Sequence, residues 1–379
     1  MRVTFVSNYI NHHQIPVSTE LYACYGEGYT FIQTEPMEQE RVQMGWNPDT
    51  NELPYLRLFE EDPEGAMQLI MDSDMVIFGG TDEESFIQPR LKAGKPVIRY
   101  SERIYKTGQW KFVSPRGLKK KYLDHTRYRN AQVYLLCSGA YVASDFNLVL
   151  AYPNKKLKWG YFPAFVPSDV DNLMEGKKGK DKTELLWAAR FIDWKHPEMV
   201  IGLASNLKKL GYHFHITMIG GGAMEDEVKT LIQALGVEDC VTLAGFKTPD
   251  EVREYMKKAD IYLVTSDRQE GWGAVVNEAM NSGCAVVGDA MIGAVPYLIE
   301  NEGDGLIYKT KDLKSLTTQV QKLLDDEEFM QNMGRNAYVK IADTWNAQVA
   351  TKRLCEFIDD VLAGKVDMNK WSDGPLSRA

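Results

Sequence analysis

Apolar and polar positions along this chain fall into blocks: short runs rich in β-branched residues alternate with stretches of helical spacing. In the first half, runs at Arg2–Ser7, Met75–Phe78, Val97–Tyr100 and Val133–Cys137 read as buried strands. The pattern lapses in the polar, lysine-rich segment from Pro167 to Thr183, which reads as a linker. It then restarts. Strands are expected at Glu184–Ala189, His213–Ile219, Val241–Ala244, Ile261–Thr265 and Ala285–Gly288. Helices between them are expected at Pro197–Leu210, Glu225–Leu235, Pro249–Lys258 and Ala274–Asn281.

Strands that alternate with helices predict parallel sheets, because a parallel crossover needs a helix-length connection. The expected fold is therefore α/β, with two Rossmann-like, doubly wound parallel-sheet domains and a ligand cleft at the strand carboxyl ends. The domains are read as residues 1–166 and 184–345, joined by the linker 167–183. Residues 346–379 follow, and their helical stretch from Asn346 to Leu362 fits against either domain.

Composition narrows the function. A chain of 379 residues with 44% hydrophobic and 26% charged positions has the make-up of a two-domain globular protein. Its net charge of −9 argues against a general nucleic-acid binder, which needs a basic face. The five cysteines are odd in number and scattered, so they read as reduced thiols and not as a disulfide or zinc framework. A strand that begins at Arg2 leaves no room for a signal peptide, and no apolar run is long enough to span a bilayer. The expectation is a cytoplasmic protein whose membrane contact, if any, is peripheral.

The most informative stretch runs from Glu270 to Met280 (EGWGAVVNEAM). Glu270 and Glu278 are separated by seven residues, with Gly271-Trp272-Gly273 after the first and a helix carrying the second. Two isolated glutamates are ordinarily solvated charges. Here a buried strand precedes a glycine turn and a helix start, which lets backbone N–H groups approach an anion. Gly271, Trp272 and Gly273 are accordingly read as lining phosphate, Glu278 as accepting from a ribose, and Glu270 as lying nearer a transferred group.

Arg190 ends one predicted strand and Lys195 precedes the next helix, so the two cations can neutralise a diphosphate and its developing charge. On this segment alone, two surface cations fit equally well. Gly220-Gly221-Gly222 follows a strand but lacks the dinucleotide fingerprint; a tight turn beside the ligand suits it, with Gly221 the candidate contact. Asn11, His12 and His13 follow the first strand, where polar residues meet ligands; capping by Asn11 is the plainer reading. Asp169-Val170-Asp171 falls in the linker, so no metal is expected. From Arg99 to Arg129, ten Lys/Arg face only Glu102 and Asp124, interleaved with Tyr105, Trp110, Phe112 and Tyr122. Such a basic segment suits an anionic membrane or acceptor, or is simply a solvated face.

Taken in order, the second-half pieces resemble the donor domain of GT-B fold glycosyltransferases of the large retaining family 4. They are Ala188-Ala189-Arg190 with Lys195, Met218 to Gly222, Val241 to Phe246, Ala259 to Ile261, Glu270 to Met280, and Gly283 to Val287. The resemblance implies a nucleotide-sugar substrate (UDP- or GDP-linked), no cofactor, and a glycan or lipid-linked acceptor in surface polysaccharide synthesis. It implies that Arg190 and Lys195 hold the diphosphate, Glu278 the ribose, and Glu270 with residues 271–273 the sugar and phosphate. Gly245 and Phe246 would border the base, and the last helix would return to the first domain. The histidine such families place after an acceptor-side strand has no counterpart here; Ser101 and Glu102 stand in that region. A sugar-nucleotide epimerase, or a non-catalytic subunit of the same fold, remains an alternative reading of the sequence.

Overall fold

A computed structural model describes residues 1–39 and 53–379. The chain forms two compact units, Met1–Ala164 together with Trp345–Ala379, and Phe165–Thr344.

Among the described residues, the first unit holds a seven-stranded parallel sheet. Its strands are β1 (Val3–Ser7), β2 (Tyr29–Gln33), β3 (Leu56–Leu58), β4 (Met75–Gly79), β5 (Val97–Ser101), β6 (Val133–Ser138) and β7 (Lys156–Trp159), in the order β3-β2-β1-β4-β5-β6-β7. β1, β4 and β6 are buried along their whole length, as central parallel strands with both faces covered should be. Val6, Phe78, Val97, Leu135 and Phe146 belong to one core cluster. The last helix, Ala347–Leu362, packs within this unit, with the Phe357 ring edge-on to Tyr134 at 5.1 Å. The tail then runs beside β7, where the Lys158 amide donates to the Ser377 carbonyl at 2.7 Å.

The second unit holds a six-stranded parallel sheet among the described residues. It comprises β8 (Thr183–Ala188), β9 (Phe214–Ile219), β10 (Val241–Gly245), β11 (Ile261–Val264), β12 (Ala285–Asp289) and β13 (Leu306–Tyr308), in the order β10-β9-β8-β11-β12-β13. Helices Pro197–Lys209 and Leu313–Asp325 close over one face, burying Val200, Leu203, Leu207, Leu316 and Val320 against β8, β9 and β12. Thr248 and Glu251 form a reciprocal capping box at the start of Pro249–Lys258. Both sheets are α/β and doubly wound, as the alternating pattern predicts.

The structure corrects several details. β2, β3, β7 and β13 were not anticipated; three of them are edge strands with too few apolar residues to register as a run. Residues 167–183 lie in the second unit, where Asp169 caps the helix Val170–Glu175 and Asp171 pairs with Arg335 at 2.6 Å. Lys177, within the segment expected as a polar linker, is buried, and its ammonium donates to the carbonyls of Met256 and Ala259. Arg99 and Arg103, counted in the basic segment, are also buried; they pair with Glu84 at 2.7 Å and Asp145 at 3.2 Å. All five cysteines are free thiols, and Cys24 alone of them is exposed.

Candidate functional site

In the second sheet β8 is flanked by β9 on one side and β11 on the other, so the chain winds outward from this point in both directions. Loops leaving the carboxyl ends of β8 and β11 therefore diverge and frame a crevice, the usual ligand position in such sheets. The first loop carries Arg190 and Lys195, and the second carries Glu270 to Gly273. The Lys195 ammonium pairs directly with the Glu270 carboxylate, and the two side chains are 13% and 15% exposed. Trp194 lies beneath both cations, with its ring centroid 4.5 Å from the Lys195 nitrogen and 6.0 Å from the Arg190 guanidinium. Arg190 is exposed. The two cations and Glu270 are thus brought together from segments 75 residues apart.

A chain of hydrogen bonds fixes these loops to each other. Trp187 donates its indole N–H to the Thr265 hydroxyl at 2.8 Å, and Thr265 donates to the Lys195 carbonyl at 2.7 Å. The Asp267 amide donates to the Trp194 carbonyl at 2.9 Å. His196 adopts a left-handed backbone (φ 51, ψ 54) and places its ring between Glu198 (2.8 Å) and Asp267 (3.4 Å). The bond to Glu198 raises the His196 pKa against the effect of burial. Burial alone would push Asp267 up, but the Gln269 amide, Lys311 at 3.0 Å and His196 hold it below its ordinary value.

Glu278 sits on the helix Val275–Asn281, 3.8 Å from Arg253 on a neighbouring helix. Burial pushes its carboxyl up to about 7, with Arg253 opposing the shift. At neutral pH this group is poised between neutral and ionised forms. Trp272 departs from the expectation that it faces a ligand. Its side chain is fully buried, with the indole N–H donated to Asn277 at 2.8 Å, so what the turn offers outward is backbone. Gly273 needs its glycine: its φ is +92, and a Cβ there would lie 3.0 Å from the Ile292 methyl.

After β9, the run Gly220-Gly221-Gly222 packs against the Arg190 loop. A Cβ on Gly220 would stand 2.0 Å from the Ala189 carbonyl, and the Gly221 carbonyl accepts the Phe191 amide at 2.9 Å. This close approach accounts for the glycines as packing elements. Gly245 ends β10 with φ +67, and Phe246 after it is 60% exposed.

In the first unit the winding reverses between β1 and β4, and the loop after β1 carries Asn11, His12 and His13. The Asn11 side chain accepts the His13 amide at 2.9 Å and its carbonyl accepts the Ile15 amide, so Asn11 closes the turn; it does not cap the helix Ile15–Tyr25, whose N-cap is Gln14 with no side-chain hydrogen bond. The His12 and His13 rings lie 3.8 Å apart, and His13 stacks on Tyr161 at 5.7 Å. Tyr161 donates its hydroxyl to Glu102 at 2.6 Å, and Glu102 also pairs with Lys106. Burial and the Glu102 charge hold the Tyr161 hydroxyl well above its ordinary pKa. Ser101 turns its hydroxyl onto the Glu102 carbonyl at 2.8 Å. All five acceptor-side candidates thus share one neighbourhood through contacts to His13 or Glu102, while Tyr161, which joins the two, was missed.

Arg253, Thr265, His196 and Asp267 were missed as well. Arg253 precedes no glycine turn and ends no strand, so only its tertiary pairing with Glu278 marks it. Thr265 and Asp267 did carry a signal, since both follow β11 and precede Glu270. Among the described residues, no cluster of three or more His, Cys, Asp or Glu side chains is placed to hold a metal ion.

Residues 171–340 match the family model described as glycosyl transferases group 1. The amylovoran biosynthesis glycosyltransferase AmsK of Erwinia amylovora is 31% identical over 180 residues, 46% of this chain and 44% of that protein. The alpha-D-kanosaminyltransferase of Streptomyces kanamyceticus is 27% identical over 174 residues, 46% of this chain and 45% of that protein. The chain therefore spans less than half the length of these curated relatives. Solved structures extend the likeness to both units. Anabaena HepE, crystallised with UDP, is 14% identical with a TM-score of 0.71, covering 95% of this chain and all of that one. WaaG, a glycosyltransferase involved in lipopolysaccharide biosynthesis, is 15% identical with a TM-score of 0.62, covering 94% and 99%. The chain has the two-domain α/β fold of these GT-B structures, and its second unit is similar in sequence to the glycosyl transferases group 1.

Proposed function

We propose that this protein is a glycosyltransferase that moves a sugar from a nucleotide-sugar donor to an acceptor hydroxyl, with retention of anomeric configuration and without a metal ion. The observation that carries this reading is the meeting of Arg190, Lys195 and Glu270 at the point where the second sheet reverses; Glu278, paired with Arg253, sits on the helix that follows the Gly271–Gly273 turn. Arg190 and Lys195 hold the donor diphosphate and stabilise the charge that grows on it as the glycosidic bond breaks. Glu278 accepts from the ribose hydroxyls, and the exposed ring of Phe246 after Gly245 borders the base. Glu270 and the backbone of Gly271 to Gly273 meet the sugar. Gly221 lies in the turn behind the diphosphate. The ion pair to Glu270 keeps the Lys195 amine extended in place before the donor arrives, which lowers the ordering cost of binding.

On the first unit, His12, His13, Glu102, Ser101 and Asn11 take the acceptor. The matches to AmsK support an acceptor in surface polysaccharide synthesis. The test is turnover of a panel of UDP- and GDP-sugars with lipid-linked and free glycan acceptors, with the anomer of the product read by NMR. Transfer with the donor's anomeric configuration kept is the expected result. Epimerised or unreacted donor, with no product from any acceptor, would remove the reading.

A further inference from the structure

Two residues that are not glycine hold a left-handed backbone and send their side chains to one oxygen atom. His196, at the start of the helix Pro197–Lys209, has φ 51, and Lys311, in the turn after β13, has φ 56. The His196 Nε2 stands 3.4 Å, and the Lys311 ammonium 3.0 Å, from Oδ2 of Asp267. This backbone conformation is unfavourable for an L side chain and open to glycine. A glycine at 196 would make the same turn with less strain, and what it would lose is the ring. The ring does not serve the helix start either, since it makes no capping bond to a helix amide.

Both ring nitrogens face carboxylates: Nδ1 lies 2.8 Å from Glu198, and Nε2 faces Asp267. A carboxylate oxygen accepts, and only the imidazolium donates from both nitrogens, so the geometry calls for the charged ring. The bond to Glu198 favours that charge against burial. The charged groups facing the ring are Glu198 from its own helix, Asp267 from the loop after β11, and Lys311, which opposes the charge, from the turn after β13. Asp289, at the end of β12, adds a further negative charge within reach of Asp267.

Asp267 in turn sets the segment that ends at Glu270. Its Oδ1 accepts the Gln269 amide at 2.9 Å, and its carbonyl accepts the Glu270 amide at 3.0 Å. The loops after β8 and β11 are therefore joined through Lys195 and Glu270, and again one residue on through His196 and Asp267. We infer that His196 is a positioning residue for the transfer reaction: its imidazolium holds Asp267, and through it the Glu270 turn, where Lys195 and Glu270 meet. This inference rests on the donor site proposed above. When the ring loses its proton, one nitrogen turns a lone pair toward a carboxylate and the clamp is lost. Turnover should accordingly fall as pH rises through the His196 pKa, which lies above its ordinary 6.5.

The test is the pH profile of kcat for the parent, His196→Gly and His196→Arg, with the UDP- or GDP-sugar that the parent turns over held at saturation. Saturation separates the effect from Glu278, which acts on nucleotide affinity. His196→Gly removes strain and ring together, so the fold should be kept while kcat falls about tenfold and KM stays within about twofold. His196→Arg keeps a permanent cation, so part of the rate should return and the alkaline fall should vanish. Thermal unfolding of both variants separates a lost clamp from a lost fold. By NMR, the ring in the ligand-free parent should titrate above 6.5, and Asp267→Asn should lower that value. A parental kcat and pH profile in His196→Gly, or a parent ring titrating below 6.5, would overturn the inference and leave the donor reading intact. A parent that binds no UDP, GDP or ADP and turns over no donor would remove both.

Discussion

Thr265, at the end of β11, donates its hydroxyl to the carbonyl of Lys195 at 2.7 Å, so the loop that ends at Glu270 is tied to the loop that carries Lys195. The same hydroxyl accepts the buried Trp187 indole, which leaves Thr265 one outcome when it is lost: two strand ends come apart and a buried N–H is orphaned. Thr265→Val keeps the shape and removes the hydrogen bonds. It should cost about 1–3 kcal/mol of stability. Catalytic efficiency should fall about tenfold, because Lys195 and Glu270 lose their fixed spacing. Thr265→Ser should restore most of both, and denaturant unfolding beside steady-state kinetics reads the two effects apart.

Lys195 and Glu270 hold each other before any ligand binds, so each single truncation leaves the partner charge half-buried and alone. Lys195→Met should reduce kcat by roughly a hundredfold or more if it stabilises the departing diphosphate. Arg190→Ala, at an exposed position, should raise the nucleotide Kd by about tenfold with little effect on stability. Titration calorimetry and single-turnover rates distinguish the two.

Glu278 couples the site to pH. Its folded-state pKa is raised to about 7 by burial, against an ordinary value of 4.5. An acid shifted upward costs stability in its ionised form: nothing below about 4.5, a growing penalty from there to about 7, and the full penalty above. That penalty is about 3 kcal/mol for a shift of this size. Glu278→Gln should therefore stabilise the ligand-free protein at pH 8 by up to that amount and change little at pH 4.5. If ribose hydroxyls donate to the carboxylate, the same variant should lose nucleotide affinity at pH 8 and show a flatter pH dependence than its parent between pH 6 and 8. Thermal unfolding across pH checks the first statement, and calorimetry at the two pH values checks the second.

Gly273 turns the chain into the helix bearing Glu278 with φ +92. Gly273→Ala should cost about 1–3 kcal/mol in backbone strain, and more if Ile292 cannot yield. Ile292→Ala in the same chain relieves the contact and not the strain, so it should rescue the variant only in part. Melting temperatures of the single and double variants separate the two causes.

The central strands of both sheets and the loops after β8 and β11 were legible in the sequence, because runs such as Ile261 to Val264 are buried on both faces and carry almost no polar residue. Edge strands were not: β7 alternates Lys with Leu and Trp, and β3 and β13 have three residues each. Charge misled the reading for the same reason in three places. Lys177, Arg99 and Arg103 look solvated in sequence, yet each finds buried carbonyls or carboxylates contributed by distant segments. Gly271 to Gly273 were legible as a turn, but a one-dimensional string cannot show which way an indole faces, and Trp272 faces the core. Arg253 and Glu278 are 25 residues apart and meet only because two helices pack, so that pair becomes visible only in three dimensions.

The most direct measurement is calorimetric binding of UDP, GDP and ADP to the whole protein, with UDP first because HepE was crystallised with it, and Glu278→Ala as the control. Binding of one of the three, weakened about tenfold or more in the variant, is the result predicted for a nucleotide-sugar site at the carboxyl ends of β8 and β11. No binding of any of them, or binding that Glu278→Ala leaves intact, would contradict it.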